Sequence, residues 1–212
     1  MTTQKIVIVD YGMANLRSVQ KAFEAVGHAA TISSDAQVIR QATKIVLPGV
    51  GAFQDAIAKL RDTPFAEIIS QHIQEGKTFL GICLGMQMLF TRSHEEGVFP
   101  GLNILAGDVV RFPNIPRLKV PHMGWNTLNI TRSDCPLFEG LPPEPAVYFV
   151  HGYYCKPADN DLIAATTDYP TPFCSVLWRD NVYATQFHPE KSQDVGLRML
   201  KNFADMKSFR QD

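Results

Sequence analysis

Apolar residues come along this chain in short continuous runs, separated by amphipathic stretches. Within Lys5-Ile6-Val7-Ile8-Val9-Asp10 and Lys44-Ile45-Val46-Leu47-Pro48, the runs 6–9 and 45–47 are apolar at successive rather than alternate positions. That is the pattern of strands covered on both faces. Between them, positions 16–26 repeat apolar residues at helical spacing and end at Gly27, and a short strand is expected near 28–33. Helices predicted at about 53–60 and 64–75 lead to the apolar run that ends at Cys83. Strand patterns return at 147–150, 173–178 and 182–187, and a last helix is expected over about 192–206. The alternation predicts an α/β fold with a mostly parallel central sheet flanked by helices on both faces.

The rhythm breaks from about 99 to 140. There Pro, Gly and Asn punctuate short β-like pieces, including 109–112 and 127–130. Antiparallel additions at the edge or top of the sheet would account for them. No repeat, low-complexity tract or linker interrupts the chain. Residues 1–212 therefore read as one domain carrying a β-rich insertion.

Charge is balanced at a formal net −1, which gives no electrostatic reason to expect nucleic acid or an anionic membrane as partner. No apolar run reaches the roughly 18 residues of a membrane span. The N-terminus enters a strand pattern almost at once, which argues against a secretory signal. Cys83, Cys135, Cys155 and Cys174 lack metal-type or disulfide-framework spacing, so a reducing, cytoplasmic setting fits best. The histidines do not cluster with acids at ligand spacing. His28, His72 and His94 read as surface or loop residues, and no metal or cofactor is expected.

Three strand ends carry candidate chemistry. In Gly81-Ile82-Cys83-Leu84-Gly85-Met86-Gln87 an apolar run turns at once into a helical pattern. This is the form of a nucleophile elbow, whose glycines allow close backbone approach and whose thiol faces a helix N-terminus that favours thiolate. A buried structural cysteine fits the same residues. In Gln186-Phe187-His188-Pro189-Glu190, residues two apart project to one face, so His188 and Glu190 can share a cleft. An imidazole oriented by a carboxylate is the partner a nucleophilic thiol needs, although the tripeptide alone also fits a surface turn. In Leu47-Pro48-Gly49-Val50-Gly51-Ala52-Phe53, glycines at a strand end can aim backbone N–H groups outward, or can merely make a tight connection. All three fall at C-terminal ends of expected parallel strands, the edge where such sheets bind ligands.

Taken together, Pro48-Gly49-Val50-Gly51, the Gly81–Gln87 segment and His188-Pro189-Glu190 resemble the class I (triad-type) glutamine amidotransferases, in the same order and over nearly the whole chain. Further stretches are similar to the glutaminase subunits of imidazole glycerol phosphate synthase. They are Asp10-Tyr11-Gly12-Met13-Ala14-Asn15-Leu16, Val120-Pro121-His122-Met123-Gly124-Trp125-Asn126, Phe149-Val150-His151-Gly152-Tyr153-Tyr154 and the lysine after His-Pro-Glu. The resemblance implies a flavodoxin-like sheet, Cys83 as nucleophile, His188 as proton shuttle and Glu190 as its orienting acid. It implies an oxyanion hole from the backbone of Val50, Gly51 and Leu84, and glutamine held by Gln87 and Glu96. Relatives commonly have Ser where this chain has Gly152 and Gly where it has Ala14. The second change matters only if that turn needs a positive φ.

The chain is used up by one amide-hydrolysing domain and leaves no room for an ammonia acceptor of typical size. Ammonia released into neutral water would be mostly protonated, so direct transfer to another chain is expected. The resemblance implies that this partner is a cyclase subunit, a (βα)₈ barrel, in a heterodimer without nucleic acid or membrane. Asn15, Pro121, Met123, Trp125, Asn126 and Lys191 are the interface candidates, and Trp125 could instead fill the domain's own core. The family also implies weak activity until the partner's site is occupied. Glycine at 51 makes a flip of the 50–51 peptide sterically possible, and such a flip is the expected way to complete the oxyanion hole. Another triad amidotransferase, or an inactive binding module, remains an alternative at this point.

Overall fold

The computed structural model describes residues 5–207. In chain order its elements are β1 (Ile6–Val9), α1 (Leu16–Ala25), β2 (Ala30–Ser33), α2 (Ala36–Arg40), β3 (Lys44–Gly49), α3 (Phe53–Arg61), α4 (Phe65–Gln74), β4 (Thr78–Cys83) and α5 (Leu84–Gln87). Then follow β5 (Phe90–Ser93), β6 (Phe99–Pro100), β7 (Leu105–Arg111), β8 (His122–Thr127), β9 (Asn129–Ile130) and β10 (Ala146–His151). The chain ends with β11 (Tyr153–Pro157), β12 (Ile163–Asp168), β13 (Pro172–Arg179), β14 (Val182–Thr185) and α6 (Gln193–Asp205). None of the described helices is long and apolar enough to cross a membrane.

The central sheet has the order β2-β1-β3-β4-β14-β13-β12-β9. Its first five strands are parallel, and β13, β12 and β9 extend it in antiparallel fashion. The continuous apolar runs are explained by burial on two sides. Ile6 and Ile8 of β1 and Val46 of β3 pack in one core with Val19 and Phe23 of α1 and Leu200 and Phe203 of α6. Val7, Val9, Ile45 and Leu47 point the other way, into a core shared with α3 and α4 through Phe53, Leu60, Ile68 and Ile69. Each such buried side chain contributes about 1.5–3 kcal/mol, so neither face could be left uncovered.

Gly27 ends α1 as its position predicts. It sits at φ +86°, and the pair of bonds Gly27 N–H to Glu24 and His28 N–H to Phe23 closes a Schellman motif.

The middle region departs from expectation. It forms two small sheets rather than simple additions to the large one: β8 pairs with β10, and β11, β7, β5 and β6 form a four-stranded unit. Only β9 reaches the edge of the main sheet. The piece expected at 109–112 belongs to β7, and the one expected at 127–130 divides between β8 and β9. β8 follows Pro121 and runs through Gly124 and Asn126, turn signals that hide a strand, and its pairing with β10 outweighs them. Four elements, α2, β5, β11 and β12, lack a clear pattern in the sequence. Among the histidines expected at the surface, His72 is instead buried on α4, with Nε2 3.0 Å from the Thr78 carbonyl.

Candidate active site

The sheet order places β3, β4 and β14 side by side, and their C-terminal ends bring the three candidate motifs together. In register, Gly49 of β3 faces Cys83 of β4, and Ile82 faces Thr185 of β14. Cys83 stands at the turn with φ +53° and ψ −108°, a strained conformation for a residue with a Cβ. The glycines around it are required by packing. A Cβ on Gly85 would lie 1.8 Å from the Leu47 carbonyl oxygen, and one on Gly81 would lie 2.9 Å from that of Gly85. The helix after the elbow, α5, is a single turn, so its dipole supplies less than a full helix would.

His188 follows β14 and is 4% exposed. Its backbone N–H donates to the Tyr148 carbonyl at 3.0 Å. The Ser192 hydroxyl donates to the His188 carbonyl at 2.7 Å and accepts the Tyr148 N–H at 3.0 Å. The imidazole Nδ1 lies 2.8 Å from Glu190 Oε1, and the Glu190 side chain is only 2% exposed. That contact fixes the ring and leaves Nε2 for the hydrogen bond with Cys83. Burial opposes a charge on His188, but its bonds to Cys83 and Glu190 and their negative charges outweigh it and raise the imidazole to about 10. The arrangement favours an imidazolium beside Cys83, ready to hand a proton to a leaving group.

A cavity of about 190 Å³ opens over the elbow, below the ~300–1,000 Å³ typical of drug-sized sites and suited to one small molecule. Cys83, His188, Val50, Gly51, Leu84 and Gln87 all line it. Gly51 has φ +91°, in the left-handed region that glycine reaches freely. A larger groove of about 500 Å³ beside α6 holds no nucleophile and lies away from these residues.

The acid at the cavity is Glu95, not Glu96. Glu95 lines it and accepts the Phe53 N–H at 2.8 Å, whereas Glu96 is exposed with φ +52° and is not part of the lining. Burial raises the Glu95 carboxyl above the usual range, although the Phe53 N–H pulls the other way. Adjacent acids in a turn point in different directions, and the resemblance implied Glu96, the neighbour that is not part of the lining.

Several contributors are not among the candidates read from the sequence, although they stand in its motif stretches. Gln186 is fully buried, with Nε2 3.7 Å from Cys83 Sγ and Oε1 accepting from Gln87 Nε2 at 3.2 Å. The Tyr11 hydroxyl donates to the Pro48 carbonyl at 3.1 Å, and burial together with the nearby Cys83 keeps it protonated. The remaining cysteines are buried free thiols, each pushed up mainly by burial, Cys135 and Cys174 to about 12. Among the described residues no group of three His, Cys, Asp or Glu is placed to hold a metal.

The expected interface residues divide. Met123 and Trp125 are 68% and 50% exposed, so Trp125 is not a core residue. Asn15, Pro121 and Lys191 are also exposed. Asn126 is only partly exposed, and its side chain is engaged internally, donating to the Asp168 carbonyl at 3.1 Å and accepting the Thr127 N–H at 2.8 Å. Ala14 is not among the positive-φ residues, so alanine there is unstrained.

Comparison with known proteins gives the family. The family model described as glutamine amidotransferase class-I matches residues 7–206. The imidazole glycerol phosphate synthase subunit HisH of Syntrophotalea carbinolica is 58% identical over 206 residues, covering 95% of this chain and 100% of that one. The subunit of the same name from Geobacter sulfurreducens is 55% identical over 208 residues, covering 96% and 99%. In fold, the chain matches PurLQS from Thermotoga maritima with a TM-score of 0.74 at 17% identity, covering 95% and 98%. It also matches a crystal structure of a glutamine amidotransferase with a TM-score of 0.73 at 18% identity, covering 94% and 99%. A buried Cys–His–Glu line at the carboxyl edge of a parallel sheet, matched along nearly its full length, places this chain in the class I glutamine amidotransferase family.

Proposed function

We propose that this chain is the glutaminase subunit of imidazole glycerol phosphate synthase, with Cys83, His188 and Glu190 as its catalytic triad. The alignment of His188 between Glu190 Oε1 and Cys83 supports the chemistry. Full-length identity of 58% to a relative bearing that subunit name supports the pathway. In this reading the Cys83 thiolate attacks the side-chain amide carbon of L-glutamine. The oxyanion that forms is held by backbone N–H groups of Val50, Gly51 and Leu84. His188 gives its proton to the departing nitrogen, which leaves as ammonia, and a γ-glutamyl thioester remains on Cys83. The same imidazole then takes a proton from water, the hydroxide attacks the thioester, and glutamate leaves with the Cys83 thiolate restored.

Gln87 and Glu95 would hold the amino-acid end of the substrate, the Glu95 carboxylate being the natural partner of an α-ammonium. The ammonia passes to a cyclase subunit, a (βα)₈ barrel in a heterodimer with this chain. That subunit converts PRFAR to imidazole glycerol phosphate and AICAR in L-histidine biosynthesis. The docking face would comprise Asn15, Pro121, Met123, Trp125 and Lys191 around the cavity mouth. Docking would reorient the 50–51 peptide, which glycine at 51 permits. Residues 1–212 would work as one amidotransferase domain, in a reducing compartment such as the cytoplasm that keeps Cys83 a thiol.

The test is glutamate release with and without the cyclase subunit and its ligand. Release should rise on adding both, and Cys83→Ser should lower it by roughly 10⁴-fold or more. Equal release from Cys83→Ser, or none in the complete mixture, would reject the assignment.

A further inference from the structure

Two histidines outside the triad form a buried pair whose hydrogen bonds run in one direction. His151 Nδ1 lies 2.8 Å from the Tyr153 carbonyl oxygen, which can only accept, so Nδ1 carries the hydrogen. In the neutral ring Nε2 is then a bare acceptor. His122 Nδ1 lies 3.1 Å from that Nε2 and must donate to it, leaving its own Nε2 bare. Asn126 Nδ2 lies 3.4 Å from His122 Nε2, and its orientation is fixed by Asp168 and Thr127. A single consistent chain results, from Asn126 through His122 and His151 to Tyr153. A proton added to either ring would set two donors against each other.

The surroundings favour this neutral state. His122 is sandwiched between Phe149 and Tyr169, with ring centroids at 4.8 and 3.9 Å. Phe112 and Phe173 close around both rings. Burial pushes His122 down to about 4; it pushes His151 down to about 3, with the charges of His122 and His188 acting in the same sense.

The chain ends at the reaction site. The Tyr153 carbonyl also accepts Gln87 Nε2 at 3.0 Å, and Gln87 in turn reaches Gln186, which lies against Cys83. His151 and Tyr153 themselves line the cavity. We propose that His122 and His151 are positioning residues for glutamine hydrolysis, holding the Tyr153 carbonyl and through it Gln87 in the substrate-binding geometry as one neutral hydrogen-bonded unit. This rests on the proposed glutaminase reading of the same cavity.

The experiment uses the complex with the cyclase subunit and its ligand. His151→Phe and His122→Phe keep an aromatic ring in the cluster and remove the hydrogen bonds. His151→Phe should lower kcat/KM for glutamine by about tenfold, chiefly by raising KM, with His122→Phe smaller in the same direction. The double variant should be no more than about twofold worse than His151→Phe alone, because both changes break one unit. His151→Asn, which keeps a donor near the Nδ1 position, should recover most of the loss.

Kinetic constants within twofold of native in both Phe variants, a loss confined to kcat, or multiplying effects in the double variant would overturn the proposal. Side-chain ¹⁵N spectra of the native chain give a second arm that needs no variant to fold. Both rings should be Nδ1–H tautomers at neutral pH and stay neutral at pH 5.5, and an Nε2–H tautomer or a charged ring at either position would also overturn it. If the native complex releases no glutamate, or Cys83→Ser releases as much, the glutaminase reading fails instead, and the spectra still judge the pair.

Discussion

Glu95 and Glu96 differ by one position along the chain and by whether they face the cavity. Glu95 is tied to the N-terminus of α3 through Phe53 and turned into the site, whereas Glu96 is exposed. Glu95→Gln keeps an acceptor for Phe53 but removes the charge that would meet an α-ammonium. It should raise KM for glutamine about tenfold or more, while Glu96→Gln stays within about twofold, as steady-state glutaminase assays of the complex would read. At this scale Cys83, His188 and Glu190 were legible because each sits in a short motif with a chemical reason for its residue types. Gln186, Tyr11 and the His122–His151 pair were not, because their partners lie 103, 37 and 29 positions away.

The elements show what the motif glycines do and do not require. At Gly85 an added Cβ would collide with the Leu47 carbonyl at 1.8 Å, so α5 could no longer seat against β3. Gly85→Ala should cost roughly 3 kcal/mol or more, seen as a fall in Tm of about 6–12 °C, with glutaminase activity lost as the elbow shifts. Gly152 is different: a Cβ there meets only Val120 Cγ1, at 3.5 Å. Gly152→Ser should change stability by no more than about 0.5 kcal/mol in the same melting experiment.

Lys44, the first residue of β3, is an element-scale case. It is fully buried, and its Nζ donates to the Phe203 carbonyl at 3.0 Å and to the Ala204 carbonyl, at the end of α6. Burial lowers its ammonium to about 8, although Asp205 acts in the opposite sense. Between about pH 8 and 10.5 the unfolded chain therefore holds this proton and the folded chain does not. The contribution of Lys44 to stability should rise with pH across that window. Denaturant titrations of native protein and Lys44→Met from pH 7 to 10.5 should show the difference between them moving in favour of the native chain as pH increases.

At the scale of the whole molecule, the large sheet brings the chemistry to one edge and the small sheet of β8 and β10 frames it. β8 alternates across its faces: His122 is buried among the aromatic rings beside His151, and Met123 and Trp125 face out. In the proposed complex these exposed Met and Trp side chains would form part of the docking face, and Trp is among the residues that dominate such contacts. Trp125 also touches Tyr148, with ring centroids 6.1 Å apart, and Tyr148 holds the His188 backbone. Trp125→Ala should weaken binding to the cyclase subunit by about 30-fold, roughly 2 kcal/mol, in a titration calorimetry measurement. The Tm of the isolated chain should move by less than about 3 °C, because the side chain is already half exposed.

The sequence by itself determined the alternation of strands and helices and the three glycine- and proline-marked strand ends. Those signals are local: a doubly buried strand is apolar along most of its length, and a strained elbow carries glycines beside its nucleophile. Only the tertiary structure decided that β3, β4 and β14 are neighbours, that Glu95 rather than Glu96 faces the cavity, and that β8 is a strand despite its turn residues. It also decided that His122 and His151 meet. Hydrogen bonds and packing between residues tens of positions apart fix these matters, and no periodicity along the chain encodes which distant partner a side chain finds.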